Sequence, residues 1–268
     1  MKLALIRILK GIAIGASMMV PGVSGGTMAI ILGIYDELVH AISDLTRHFR
    51  KNAVLLLEVG LGGLIGILLL AKLMVQVINA FEKPMMFLFL GAVAGTIPTL
   101  LKKTTLKKPK PVHLVYFLIG LLSVLLLSFL PENLFDFSKT GGWGFLILLV
   151  AGVVIAVALV LPGISASYVL LMLGIYEITM TAVTEFNLLF LAPLLIGVLG
   201  GVFLTTRLLE KAMTEHPGAT YLIIIGFVAG SMVEIFPGLP SGLELLICPL
   251  TLAAGFAGIF FLSRRAAE

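Results

Sequence analysis

Ser24, Gly25, Gly26 and Thr27 follow a Pro21-Gly22 break in the stretch PGVSGGTMAIILGIYDE, and Pro162, Gly163, Ser165 and Ser167 recur in the same order in PGISASYVLLMLGIYE. A hydroxyl residue just after a Pro-Gly turn and just before an apolar run reads as a helix N-cap. The first turn of a helix leaves several backbone N–H groups without intrahelical partners and carries partial positive charge. Glycine and other small residues let a ligand approach that backbone closely. Residues of these types in this order suit an anion, and phosphate is the usual guest. The plainer reading is a turn whose serine caps its own helix. A second copy of the block shifts the balance toward a ligand site.

Lys72 and Arg207 are the next residues with chemistry to offer, because each lies well inside an apolar stretch. An uncompensated charge in a membrane costs at least about 2.5–3.5 kcal/mol. One reading is a long side chain snorkelling to the interface; the other is a basic residue at each mouth, drawing an anionic group toward the paired blocks. Glu58 and Glu234 lie near the ends of apolar stretches and are either solvated or carriers of a coupling proton. Asp36 and Glu177 follow tyrosines expected at the interface and should face water.

Gly22-Val23-Ser24-Gly25-Gly26 also fits the G-x-S-x-G pattern of a nucleophile elbow. That motif needs a strand-turn-helix setting and a base within reach of the serine. Here the setting is helical, the second copy has Ser167 in place of the last glycine, and no histidine lies in either block. The chain therefore reads as a non-enzyme. His40, His48, His113 and His216 are scattered without ligand spacing and Cys248 is the single cysteine, so neither a metal site, a cofactor nor an intrachain disulfide is expected. Nothing points to nucleic acid.

The elements that must position these residues follow from composition. Of 268 residues, 60% are hydrophobic and 12% charged, about half the charge of a soluble domain. Apolar runs near the roughly 20 residues of a membrane-crossing helix recur along the chain, which makes it an all-α polytopic membrane protein. Lys2, Arg7 and Lys10 before the apolar Gly11–Val20 imitate a signal peptide, but the same segment recurs at Gly152–Pro162 and is therefore mature structure.

An offset of 141 places Gly11 on Gly152, Pro21 on Pro162, Ser24 on Ser165, Gly33 on Gly174 and Tyr35 on Tyr176. An offset of 135 places Gly62 on Gly197, Gly66 on Gly201, Lys72 on Arg207, Gly91 on Gly226 and Gly95 on Gly230. The chain thus divides into two repeats, residues 1–130 and 143–268, in a single membrane domain. Each opens with two apolar arms, roughly 10–17 residues long, about the Pro-Gly turn, which suits a re-entrant hairpin. Three transmembrane helices follow in each: 53–79, 84–101 and 112–130, then 187–211, 220–236 and 243–262. The paired glycines read as close helix packing.

With both termini cytoplasmic, Lys2, Arg7, Lys10, Arg47, Arg50, Lys51, Lys102, Lys103, Lys107, Lys108, Lys110, Arg207, Lys211, Arg264 and Arg265 lie inside and only Lys72, Lys83 and Lys139 outside, fifteen against three. A hairpin plus three spans crosses the membrane an odd number of times, so the second repeat is expected inverted. The two Pro-Gly tips then meet near the midplane, where unwound backbone is tolerated only in protein or beside a cavity. The basic loop 102–110 sets topology and could also hold anionic lipid headgroups.

The PG-[VI]-S blocks followed by G-x-Y-[DE], together with the two-repeat layout, resemble the polyprenyl-phosphate transporter family along essentially the whole chain. The resemblance implies a flippase in the bacterial cytoplasmic membrane that moves undecaprenyl phosphate, the lipid carrier of cell-wall precursors, between leaflets for recycling. It places the functional block on Pro21–Thr27 and Pro162–Ser167. A shielded path for the charged head alone suffices, since the apolar tail can stay among the membrane lipids. A carrier for a small soluble anion and an intramembrane lipid phosphatase are the alternatives. A coupling proton or sodium ion, homo-oligomerisation and tail preference are left open by the sequence.

Overall fold

The computed structural model describes residues 2–18, 23–106, 108, 110–131 and 144–266, and among them every regular element is helical. The first half runs α1 (Lys2–Ser17), α2 (Gly25–Ile31), α3 (Tyr35–Ser43), α4 (Phe49–Ile65), α5 (Ala71–Ala80), α6 (Glu82–Lys103) and α7 (Pro111–Ser128). The second half runs α8 (Gly144–Val160), α9 (Ala166–Met172), α10 (Tyr176–Thr184), α11 (Leu188–Glu215), α12 (Pro217–Ile235) and α13 (Glu244–Ala266). A single π turn, Gly66–Leu70, joins α4 to α5, whereas α11 runs unbroken over the matching stretch.

Among the described residues, six helices are long and apolar enough to cross a membrane: Phe49–Leu70, Glu82–Lys103, Pro111–Ser128, Leu188–Glu215, Pro217–Ile235 and Glu244–Leu262. They fall on the six stretches expected from the sequence. Leu68, Leu69, Leu199 and Leu250 all turn outward with about 70% of their surface free, as the lipid-facing side of a multi-pass membrane protein requires. α6 and α12 form the interior, with 50% and 61% of their apolar windows buried against 11% for α7 and α13.

The same backbone contacts occur twice, at the sequence offsets. α1 packs on α4 and α8 on α11. A Cβ on Gly62 would stand 2.2 Å from Ile8 O, and one on Gly197 would stand 2.1 Å from Leu149 O. Only glycine permits helices to approach this closely. The inner helices then cross over. α6 packs on α13 and α12 on α7, with Gly91 against Leu252 O at 2.0 Å and Gly226 against Phe117 O at 2.2 Å for the same hypothetical carbon. Each half completes the other's core.

The arms after the Pro-Gly turns differ from the sequence expectation. They are not continuous helices: α2 turns into α3 through 119° and α9 into α10 through 111°. Gly33 (φ +63°) and Gly174 (φ +69°) end the first pieces. Ile34 N donates to Ala29 O at 2.9 Å and Ile175 N to Leu170 O at 3.1 Å, with Gly33 N on Ile30 O and Gly174 N on Leu171 O, each at 2.9 Å. These are paired Schellman caps, and the buried Ile34 and Ile175 supply the apolar contact that accompanies them. The signal was legible as Leu-Gly-Ile-Tyr in both copies, where glycine sits one residue before a large apolar side chain.

The tyrosine expected at the interface in the first copy is also displaced. Tyr35 is buried and donates its hydroxyl to Val160 O at 2.9 Å, tying α3 to the end of α8.

Candidate functional site

The two tips touch, and they do so unequally. Ser24 is the N-cap of α2; its Oγ accepts from Thr27 N at 3.1 Å. The same oxygen accepts from Gly163 N at 3.1 Å, and Thr27 Oγ1 accepts from Gly163 N at 2.9 Å. Ser24 Oγ and Thr27 Oγ1 are themselves hydrogen-bonded at 2.9 Å. With both Ser24 lone pairs occupied, Ser24 must be the donor in that bond. The knot is buried: Thr27 is 1% and Ser24 8% exposed. Gly163, at φ +82°, needs its missing side chain, since a Cβ there would lie 2.4 Å from Phe227 O on the inner helix α12.

On the other tip, Ser165 caps α9 by accepting from Tyr168 N at 3.4 Å. Tyr168 in turn donates its hydroxyl to Leu130 O at 2.7 Å. Ser165 is half-buried and Ser167 exposed. Thus Ser24 and Thr27 are enclosed, whereas on the second tip Pro162 and Gly163 are buried and Ser165 and Ser167 are more accessible.

Between them lies a cavity of about 60 Å³ lined by Ser24, Gly25, Ser165, Ala166 and Ser167 with apolar neighbours, among them Val23 and Ile164. A water occupies about 10–15 Å³ of such space, so the cavity takes a few waters or one compact tetrahedral anion. Gly25 and Gly26 hold the first two positions of α2, and Ala166 and Ser167 those of α9. Their N–H groups have no intrahelical acceptor. Gly26 is held close to the second tip, because a Cβ on it would sit 3.2 Å from Pro162 Cα. The structure therefore brings together Ser24, Gly25, Gly26, Thr27, Pro162, Gly163, Ser165 and Ser167. Pro21 and Gly22 lie outside the described residues.

The two basic positions are elsewhere. Arg207 is exposed on α11, its guanidinium 4.7 Å from the centre of the Phe203 ring. Lys72 belongs to α5, and its side chain lies outside the described residues.

Sequence reading missed a polar cluster around α3. Asp36 Oδ2 accepts from Lys103 Nζ at 2.5 Å and from Tyr221 Oη at 3.0 Å, while His40 pairs with Glu210. Asp36 is thus bonded to two neighbouring helices, α6 and α12, rather than simply hydrated. Arg7 on α1 reaches Glu58 on α4 at 3.2 Å, both with 18% of the side chain exposed, and Glu37 at 3.8 Å. Glu58 is thereby paired rather than solvated. Glu234, at the other end of the molecule, accepts from Ser128 Oγ. The repeat-equivalents of Arg7, Glu58, Lys103 and Tyr221 are Leu148, Pro193, Gly238 and Met86. The Arg7–Glu58 and Asp36–Lys103 pairs therefore have no counterpart at the equivalent positions of the second copy, and only a search of cross-helix partners, not of motifs, would have found them.

The undecaprenyl phosphate translocase-like family matches residues 14–243. A polyprenyl-phosphate transporter of Staphylococcus aureus is 33% identical, covering 98% of this chain and 97% of its own length. One from Vibrio cholerae is 29% identical, covering 85% and 76%. No solved structure matches. The chain belongs to the undecaprenyl phosphate translocase-like family.

Proposed function

We propose, from that membership, that this protein transports polyprenyl phosphate across the cytoplasmic membrane, with the phosphate held between the two hairpin tips. The observation that carries the reading is the tip-to-tip cavity. Two first turns contribute N–H groups without intrahelical acceptors, Ser165 and Ser167 add hydroxyls, and among the described residues no acidic side chain lines the space. Charge-assisted hydrogen bonds to a phosphate are about twice as strong as neutral ones. They would replace the Gly163–Ser24 and Gly163–Thr27 bonds when the tips part.

The topology we infer is two inverted repeats, each a re-entrant hairpin followed by three spans, with both termini cytoplasmic. Twofold recurrence of the glycine contacts and the meeting of the tips support it. Rocking of one half against the other would open the cavity to each leaflet in turn, moving undecaprenyl phosphate back for reuse in envelope synthesis. Lys72 and Arg207 act in this reading at the mouths, attracting the head without holding it. The protein works as a carrier, not an enzyme.

Proteoliposomes loaded with fluorescent undecaprenyl phosphate on one leaflet test this directly. Protein-dependent exchange, absent for phosphatidylcholine and not competed by millimolar inorganic phosphate, supports the reading. Competition by inorganic phosphate with no lipid movement would instead favour a soluble-anion carrier, and release of phosphate would revive the phosphatase.

A further inference from the structure

Beside the first tip lies a second, larger cavity of about 250 Å³, and its walls are apolar: Ile14, Ala29, Leu38, Val39, Val59 and Val202 among them. Two of its lining residues carry hydroxyls, and both hydroxyls are spent. Tyr35 donates to Val160 O, and Thr206 donates to Val202 O at 2.7 Å. A space so lined does not retain water. Protein interiors are otherwise packed with few voids larger than a water molecule, so an apolar pocket of this size beside the tips stands out.

Gly25 and Leu159 line both this cavity and the small polar one between the tips. The two spaces meet at a residue without a side chain. One is small with N–H and hydroxyl groups; the other is larger and apolar. An amphipathic molecule with a compact anionic head and a hydrocarbon chain has the shape and chemistry of the pair.

The second copy shows what makes the apolar space. Where the first has Gly25, Gly26 and Ala29, the second has Ala166, Ser167 and Leu170. There Ala166 and Leu170 pack against the buried Val169, Ile175, Ala182 and Leu194. Two larger side chains, Ala166 and Leu170, thus pack where the first copy has Gly25 and Ala29.

We propose that the apolar cavity receives the chain carbons next to the phosphate, the first isoprene units of the lipid, so that head and adjoining chain are recognised together on the first copy. The inference rests on the phosphate reading above. It makes Gly25, Ala29 and Val202 determinants of specificity.

The test uses purified full-length protein and two soluble probes, methyl phosphate and geranyl phosphate. Geranyl phosphate should bind the unaltered protein about tenfold tighter or more, since each buried methylene contributes several-fold. Ala29→Phe and Val202→Phe should each reduce that advantage to about threefold or less, leaving methyl phosphate affinity and melting temperature unchanged. Equal binding of both probes to the unaltered protein overturns the chain site while leaving the phosphate site standing. Retention of the full geranyl advantage in both folded variants does the same. If neither probe binds, both readings fail. Should a variant not fold, the comparison in unaltered protein decides.

Discussion

Gly163 donates its backbone N–H to Ser24 Oγ at 3.1 Å, across 139 positions of sequence, and in the same place to Thr27 Oγ1 at 2.9 Å. The group that fastens the second hairpin to the first is thus a hydrogen-bond donor of the kind a phosphate would take. The serine in question also caps its own helix. Cap, interlock and proposed ligand site are the same few atoms.

Ser24→Ala should therefore lower both stability and lipid-phosphate binding. Loss of the cap costs about 1 kcal/mol, and Gly163 N would keep only its Thr27 partner. Ser165→Ala removes a longer cap bond and no interlock, so its melting temperature should fall less. Affinity measured per folded molecule must drop in at least one of the two variants. Unchanged affinity in both would end the anion-site reading.

Glycine substitutions along the tips should separate by geometry. Gly163→Ala combines an unfavourable φ with a Cβ 2.4 Å from Phe227 O, and should lose about 2 kcal/mol or more, seen as poor yield and early melting. Gly26→Val presses on Pro162, and should impair transport more than Ser24→Ala. Gly200→Ala has open space around it and should be silent. Equal behaviour of Gly163→Ala and Gly200→Ala would contradict the packing.

The two ion pairs of the first copy should differ in weight. Asp36 and Lys103 are 38% and 39% exposed, so solvent screens them and Asp36→Asn should cost about 1 kcal/mol or less. Arg7 and Glu58 are more enclosed, and Arg7 Nε is buried without a partner. Glu58→Gln leaves that guanidinium only the longer contact to the exposed Glu37 and should cost up to about 3 kcal/mol, with much of the loss restored in Arg7→Met/Glu58→Leu. Thermal unfolding of the four proteins gives the comparison.

Labelling with an impermeant thiol reagent checks the orientation of the loops. Cys248 is fully buried and can be replaced by alanine to give a blank background. Cysteines placed at 106 and 137 should react from opposite sides of the membrane. Reaction from one side would sink the inverted topology.

Arg207→Gln should slow transport at low lipid-phosphate concentration and low salt, while leaving the melting temperature unchanged, because the residue is exposed and stacks on Phe203. A normal rate would assign the residue to simple interfacial anchoring.

Long apolar runs made the six spans readable, because in a bilayer each must satisfy its own backbone and its length is set by the membrane. The glycine pairs were readable because their spacing repeats. The Schellman breaks at Gly33 and Gly174 were harder: both glycines stood out as repeat markers, and a positive φ leaves no trace in hydropathy. The Arg7–Glu58 pair lies 51 residues apart in sequence, and the Gly163–Ser24 bond 139. Such contacts follow from how helices cross, which no local pattern encodes. Three small residues, Gly25, Gly26 and Ala29, were visible, but the space they leave was not.

The crossing-over of the inner helices also bears on how the chain is made. α6 and its two glycines find their backbone partners on α13, which is synthesised long after it. Until residue 244 and those after it emerge, Gly91 and Gly95 face lipid, and the first half stands in the bilayer as an unfinished bundle. Arrival of α13 is then the event that closes the core of the first half, not one of a series of independent additions.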